Sequence, residues 1–117
     1  VIDHMARVEA SAGLQQEPFQ QLLELMADER CWVKISGTER LTAGGGPPYD
    51  DVVPYARALI AIAPDRVLWG TDWPHPNVRH MPDDGDLLDH LADVAPDETT
   101  RKRILVTNPE RLYDFRA

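Results

Sequence analysis

The sequence has one cysteine, Cys31, which excludes an internal disulfide framework and any multi-cysteine zinc site. It is poor in cations: twelve Lys and Arg face twenty Asp and Glu, for a net charge of −8. Nonspecific binding to nucleic acid or to an anionic membrane needs clustered cations, so both are disfavoured. A small anionic substrate held by a few local arginines stays open. No apolar run approaches the roughly 20 residues of a membrane span, and no signal peptide is visible. The glycines at 44–46 are not followed by Gly-Lys-Ser or Gly-Lys-Thr, so they form no phosphate loop. Asp83, Asp84 and Asp86 lack the spacing and the glycine of a calcium loop; at a helix start they suit the macrodipole. The 117 residues suit one domain at most and fall short of the about 250 of a complete β/α barrel. What is present is 43 % hydrophobic and 27 % charged, enough for a core and too apolar for disorder throughout. The first expectation is a soluble, cytoplasmic enzyme fragment or subunit.

The hydrophobic pattern alternates between strand and helix. Val1 to Met5 (VIDHM) reads as the end of a strand, and residues 6–13 as a loop. Pro18 opens a helix with Phe19, Leu22, Leu23, Leu25 and Met26 at helical spacing. Cys31 to Ser36 (CWVKIS) is a second strand, with Cys31, Val33 and Ile35 on one face and Trp32, Lys34 and Ser36 on the other. Gly37 ends it. A loop containing Gly44 to Pro48 follows, either a linker or a mobile cover over a site. Asp50 or Asp51 can cap the next helix, which buries Val53, Ala56, Leu59, Ile60 and Ala63 and stops at Pro64. Arg66 to Asp72 (RVLWGTD) is a third strand, and residues 73–82 are an irregular proline-containing loop. Asp83 to Val94 is a helix with Leu87, Leu88 and Leu91 inward. Asp97 caps another reaching about Val106. Asn108 then caps a short terminal helix, Pro109 to Phe115, with Leu112 and Phe115 on its apolar side. Strand ends near residues 4, 36 and 72 suit βα units with parallel strands and right-handed crossovers.

In parallel α/β folds, ligands bind at the carboxyl ends of strands. His4 closes the first strand, Ser36 the second with Arg40 beyond it, and Asp72 the third with His75 three residues later. Three separate units thus send polar groups to one rim. Asp72 can take a proton from water or ligate a metal; the competing reading is a turn cap before Trp73-Pro74. Gly70, on the same side, leaves room beneath it. His4 can polarise a carbonyl, ligate a metal, or pair with a backbone group. Arg40 is either a carboxylate-binding group or a solvated loop residue, and Arg7 is a weaker candidate of the same kind. His75, between Pro74 and Pro76, sits on a stiff segment that suits a ligand contact. His80 and His90 read as surface residues. Lys34 shares the side of Ser36 and needs a carboxylate partner if buried.

VIDHM at 1–5, CWVKISG at 31–37, GTDWPHPN at 70–77 and NPERLYDF at 108–115 resemble the amidohydrolase-2 branch of the amidohydrolase superfamily. GTDWPHP is the most specific element. PPYDDV at 47–52 and HMPDDGDLLDHL at 80–91 look closest to the branch that opens the lactone of 2-pyrone-4,6-dicarboxylate. The resemblance covers essentially the whole chain. It implies an α/β fold: the last three βα units, strands six to eight, and the C-terminal helices of a TIM (β/α)8 barrel, with the first five strands absent. It implies a cytoplasmic lactone hydrolase of aromatic-compound degradation in the full-length form, the isolated chain being inactive. Asp72 would activate water, His4 would polarise the lactone carbonyl, and Arg40, with Ser36 and His75 beside it, would bind a carboxylate substrate. The family's His-x-His pair is missing here. Many members hold a divalent metal, zinc or manganese, through that pair and the strand-eight aspartate, which would be Asp72 with His4 here. The lactonase branch implies no cofactor. The alternatives are a metal-dependent decarboxylase or another hydrolase of the family, and a noncatalytic fragment needing a partner half-barrel. The expected partner is a small anionic carboxylate, with no nucleic acid and no membrane; a homo-oligomer is compatible with the resemblance.

Overall fold

Val33 and Val67 are β-branched and wholly buried, which suits the inner positions of a parallel sheet. In the computed structural model, which describes residues 1–44, 46–76, 78 and 80–115, they pair directly. Strand β1 (Val33–Lys34) runs parallel to β2 (Val67–Leu68), and Ile2 adds a parallel bridge to Val33 on the other side. The ladder runs Ile2 N–H to Trp32 O, Lys34 N–H to Ile2 O and Ile35 N–H to Leu68 O, at 2.7, 2.9 and 2.8 Å. Three chain segments therefore lie side by side in one direction, in the order expected. The ladder is shorter than the sequence pattern suggests. His4 already enters a left-handed turn, and the segments beyond Ile35 and Leu68 diverge into the loops that carry the polar residues.

Helix α1 (Glu17–Leu25) follows the first segment with Pro18 in its first turn, where a missing N–H is harmless. It buries Phe19 and Leu22, and Met26 just beyond it, while Leu25 is exposed. Helix α2 (Thr38–Leu41) is one turn inside the expected loop. Helix α3 (Val53–Ile62) buries Tyr55, Ala56 and Leu59, and Phe19 meets the Tyr55 ring edge-on, centroids 4.9 Å apart. The expected aspartate cap on α3 is not made. Asp51 instead accepts from the Thr42 hydroxyl at 2.7 Å and from Ala43 N–H at 2.8 Å, so it ties the two ends of the glycine-containing loop. Gly45 of that loop lies outside the described residues, as do Asn77 and Arg79 of the proline loop.

Helix α4 (Asp84–Val94) is capped by Asp83, whose carboxylate accepts from Gly85 N–H and Asp86 N–H. It packs on α3. Its buried stripe is Leu87, His90, Leu91 and Val94, a regular i, i+3, i+4, i+7 series. Leu88, expected inward, is 50 % exposed because it lies about 100° away from that stripe. His90, expected at the surface, fills the i+3 place. Burial holds its imidazole below the usual histidine range despite the Pro48 carbonyl 3.2 Å from Nδ1. His90 is thus the neutral side chain of a helix–loop contact.

Asp97 caps α5 (Glu98–Lys102) as expected. The chain then runs without a break through a wide turn (Arg103–Thr107) into α6 (Asn108–Tyr113). Asn108 is not an N-cap: its φ and ψ are helical, at −66° and −48°. The wide turn accommodates Pro109, whose ring would otherwise meet the carbonyl of Leu105. Freed from capping, the Asn108 amide is fully buried and donates to Pro64 O and Val67 O, each at 2.9 Å. It locks α6 onto the start of β2. Phe115, expected to be apolar-side, is 65 % exposed. Arg66 does similar work beneath the sheet, donating to the carbonyls of Met26, Asp28 and Cys31.

Asn108→Leu removes two buried donors and leaves two carbonyls unsatisfied, so the intact protein should lose about 2–4 kcal/mol. Asn108→Asp places a charge against the same carbonyls and should cost more than the leucine variant. Urea unfolding midpoints measure both; equal midpoints for the wild type and the two variants would remove Asn108 from this role.

Candidate active site

The residues beyond the three parallel segments converge. The Ser36 Oγ lies 2.8 Å from His4 Nδ1. His4 Nε2 lies 3.5 Å from Asp72 Oδ1. The other Asp72 oxygen, Oδ2, accepts from Arg40 Nε at 2.9 Å, with Arg40 Nη2 at 2.8 Å. Nη2 also donates to the Pro76 carbonyl at 2.9 Å. Four of the five residues singled out in the sequence thus form one line: Ser36, His4, Asp72, Arg40. Ser36 is buried, while the side chains of His4, Arg40 and Asp72 are 12, 15 and 19 % exposed, so the line opens to solvent at the Asp72 end.

The two Asp72 oxygens are unequal. Both guanidinium contacts fall on Oδ2. Among the described residues, Oδ1 has only the His4 ring at 3.5 Å, beyond a good hydrogen bond. The Ser36 hydroxyl can donate to Nδ1, which fixes the tautomer that carries hydrogen on Nε2. An Nε2–H donor and a carboxylate oxygen acceptor then stand side by side at 3.5 Å, too close to admit a water between them, so both are presented together to a group bound beside the pair.

Local backbone makes this possible. His4, Met5, Ala6 and Arg7 all have positive φ, as does Asp72 at 65°. Left-handed backbone costs about 1–2 kcal/mol per non-glycine residue, and such strain concentrates at functional sites. Gly37 has φ 70°, and a Cβ on it would stand 2.9 Å from His4 Nδ1. Gly37→Ala should therefore destabilise the intact protein by about 1–2 kcal/mol and push the His4 ring off Ser36. A fall in the unfolding midpoint together with a shifted His4 ring resonance is expected; an unchanged midpoint contradicts it.

Lys34 finds the carboxylate it needs: Nζ lies 3.0 Å from Asp3 Oδ1, and that contact holds the Asp3 carboxyl below its usual range. The pair is partly exposed and lies outside the line. Near Gly70, the Lys34 stem comes to 3.8 Å from where a Cβ would be, so the room left by that glycine is bounded by Lys34.

His75 stands apart from the line. It is buried, with Nδ1 3.3 Å from Glu39 Oε1 and Nε2 2.8 Å from Asp84 Oδ1. His80 approaches the Tyr49 hydroxyl at 3.4 Å. Burial, with Glu39 and Asp86 nearby, pushes the Tyr49 phenol up. A cleft of about 640 Å³ adjoins Arg40, lined also by Arg7, Glu39, Thr42 and His80, which brings the second arginine candidate beside the first. The sequence marks Asp84 as part of an acidic helix start and Gly37 as a strand end, neither as a site residue, and it does not mark Glu39. Its place in the chain beside Arg40 is the one signal for it, because the helical turn that joins them is visible only in the structure.

Among the described residues, no three His, Cys, Asp or Glu side chains are placed to hold a metal ion. The Arg40 guanidinium already compensates the Asp72 carboxylate, and a cation beside it would be repelled. Against that, His4 Nε2 and Asp72 Oδ1 stand 3.5 Å apart, a spacing that two ligands of one divalent metal share, so these two would hold such an ion only together with further ligands. No helix among the described residues is long and apolar enough to cross a membrane.

A family model described as amidohydrolase matches residues 1–115. Over 97 % of its length the chain is 52 % identical to a 4-sulfomuconolactone hydrolase of Rhizobium radiobacter, of which it covers 38 %. It is 45 % identical to a 2-pyrone-4,6-dicarboxylate hydrolase of Comamonas testosteroni, of which it covers 40 %. A crystal structure of a putative 2-pyrone-4,6-dicarboxylic acid hydrolase from Pseudomonas putida superposes with a TM-score of 0.81 at 32 % identity, over 99 % of this chain and 43 % of that one. The chain spans about two-fifths of the length of these relatives.

Proposed function

The chain belongs to the amidohydrolase family, and on that premise we propose that it supplies strands six to eight of a (β/α)8 barrel that hydrolyses a lactone bearing carboxylate groups. The observation that carries the proposal is the line Ser36–His4–Asp72–Arg40, drawn from three successive βα units to the carboxyl ends of parallel strands, where barrel enzymes place their chemistry. The names of the two curated relatives, a sulfomuconolactone hydrolase and a pyrone-dicarboxylate hydrolase, support the substrate class.

In the proposed reaction, Asp72 Oδ1 takes a proton from a water as that water adds to the lactone carbonyl. His4 Nε2–H donates to the carbonyl oxygen as it gains charge, with Ser36 holding the ring. The ring C–O bond then breaks, and the proton held by Asp72 passes to the departing oxygen. The product is a hydroxy acid, which ionises at neutral pH. Arg40 keeps Oδ2 engaged through Nε and Nη2, leaving Nη1 to receive a substrate carboxylate at the cleft. A second carboxylate would meet Arg7 on the same cleft.

The test is a pH-stat assay of the complete barrel on a dicarboxylated lactone. One equivalent of acid per ring opened is expected. Isomerisation without acid release, or evolution of carbon dioxide, would overturn the reading.

A further inference from the structure

Among the described residues, two side chains of helix α2 reach the loop after β2; Arg40 meets the Pro76 carbonyl there and makes the first of two ion pairs. That pair is Arg40 to Asp72, within the site. The other is Glu39 to His75, made by the neighbouring residue of the same short helix. His75 is bound to the site by its backbone as well: its N–H donates to the Asp72 carbonyl at 2.8 Å. Its far ring nitrogen reaches Asp84 in the first turn of α4. We propose that Glu39, His75 and Asp84 form a clip that positions Asp72 against Arg40, so that His75 is a positioning residue rather than a substrate contact. The inference rests on the functional reading above only for its effect on turnover.

The physical case is one of restraint. Helix α2 is a single turn of four residues, too short to hold its own orientation. Asp72 and His75 both have left-handed backbone, at φ 65° and 61°, a conformation that persists only when surroundings impose it. Glu39 and His75 supply that imposition from the buried side: their side chains are 0 and 2 % exposed. Both ring nitrogens face carboxylate oxygens, so the ring is held from two sides, by α2 and by α4. The second Glu39 oxygen has no hydrogen-bond partner among the described residues. A buried carboxylate held by one side chain depends on that side chain. If the clip is lost, the side-chain links left between the Asp72 loop and α2 among the described residues are those of Arg40 to Asp72 and to the Pro76 carbonyl, which solvent reaches. Displacing a catalytic group by about 1 Å can cost about 100-fold in rate.

The test uses His75→Gln in the complete barrel, with Asp84→Asn as the gentler variant because Asp84 is half-exposed and that substitution keeps an acceptor oxygen. Two readouts are taken. The first is the Arg40 Nε–H proton resonance, slow to exchange while it is bonded to Asp72. The second is kcat and KM on the dicarboxylated lactone. Expected for His75→Gln are faster exchange at Arg40 and a kcat lower by about 10- to 100-fold, with KM changed less than about threefold. Asp84→Asn should move both in the same direction by less, and it carries the test if His75→Gln does not fold. Asn108→Leu, which destabilises the fold away from the rim, should leave the Arg40 resonance protected. Retention of Arg40 protection and kcat in the clip variants overturns the proposal. A wild-type barrel that opens no lactone overturns the functional reading instead, and the Arg40 resonance still decides the clip.

Discussion

Asp72→Asn in the complete barrel should lower kcat for lactone opening by about 10²–10⁴-fold, the span of a lost general base, while the substrate still binds. The asparagine keeps the size of the side chain and an oxygen that can accept from Arg40 Nε, so the Arg40 anchor is retained. What disappears is the oxygen basic enough to take a proton from water. Among the described residues, Oδ1 is the carboxylate oxygen without a guanidinium contact, which is why loss of basicity there falls on turnover. Steady-state rates with a calorimetric binding measurement separate the two effects. Turnover at the normal rate would remove Asp72 from the role of base.

The second large effect concerns Arg40. Arg40→Met removes the cation that faces both Asp72 and the cleft. A charge-assisted hydrogen bond contributes about 1.5–3 kcal/mol, so kcat/KM for a dicarboxylated lactone should fall by about 10- to 150-fold. The monoester, with the carboxylate that meets Arg40 blocked, should fall much less, because it has no charge to lose a partner. Competition between the two substrates on wild type and variant measures the difference directly. Equal losses for both would mean that Arg40 serves only to hold Asp72.

The residues of the rim were legible in the sequence because parallel strands with helical crossovers force their carboxyl ends to one side. That argument needs only the positions of the apolar runs around Val33 and Val67. His4, Ser36, Arg40 and Asp72 were found this way, and the structure joins them within hydrogen-bonding or near-hydrogen-bonding reach. The same argument does not reach His75. Its three-residue spacing from Asp72 suggested a shared site, yet a left-handed backbone turns it inward, between Glu39 and Asp84. Nothing in the local pattern signals that reversal. Helix α2 was missed because Thr38 to Leu41 is one turn, below the length at which periodicity is visible. His90 is buried because register outweighs residue type: the 87, 90, 91, 94 stripe is present in the sequence, with a histidine at one of its four places. Asn108 followed the statistics of Asn-Pro at helix starts, which the continuous helical chain before it overrides.

The most direct measurement is a crystal structure of the complete barrel with a non-hydrolysable dicarboxylate analogue of the lactone. One ligand carboxylate is expected within about 3 Å of the Arg40 guanidinium. The carbonyl oxygen should face His4 Nε2, with its carbon opposite a water bound to Asp72 Oδ1. A ligand seated elsewhere, with the Arg40–Asp72 pair closed over an empty rim, would contradict it.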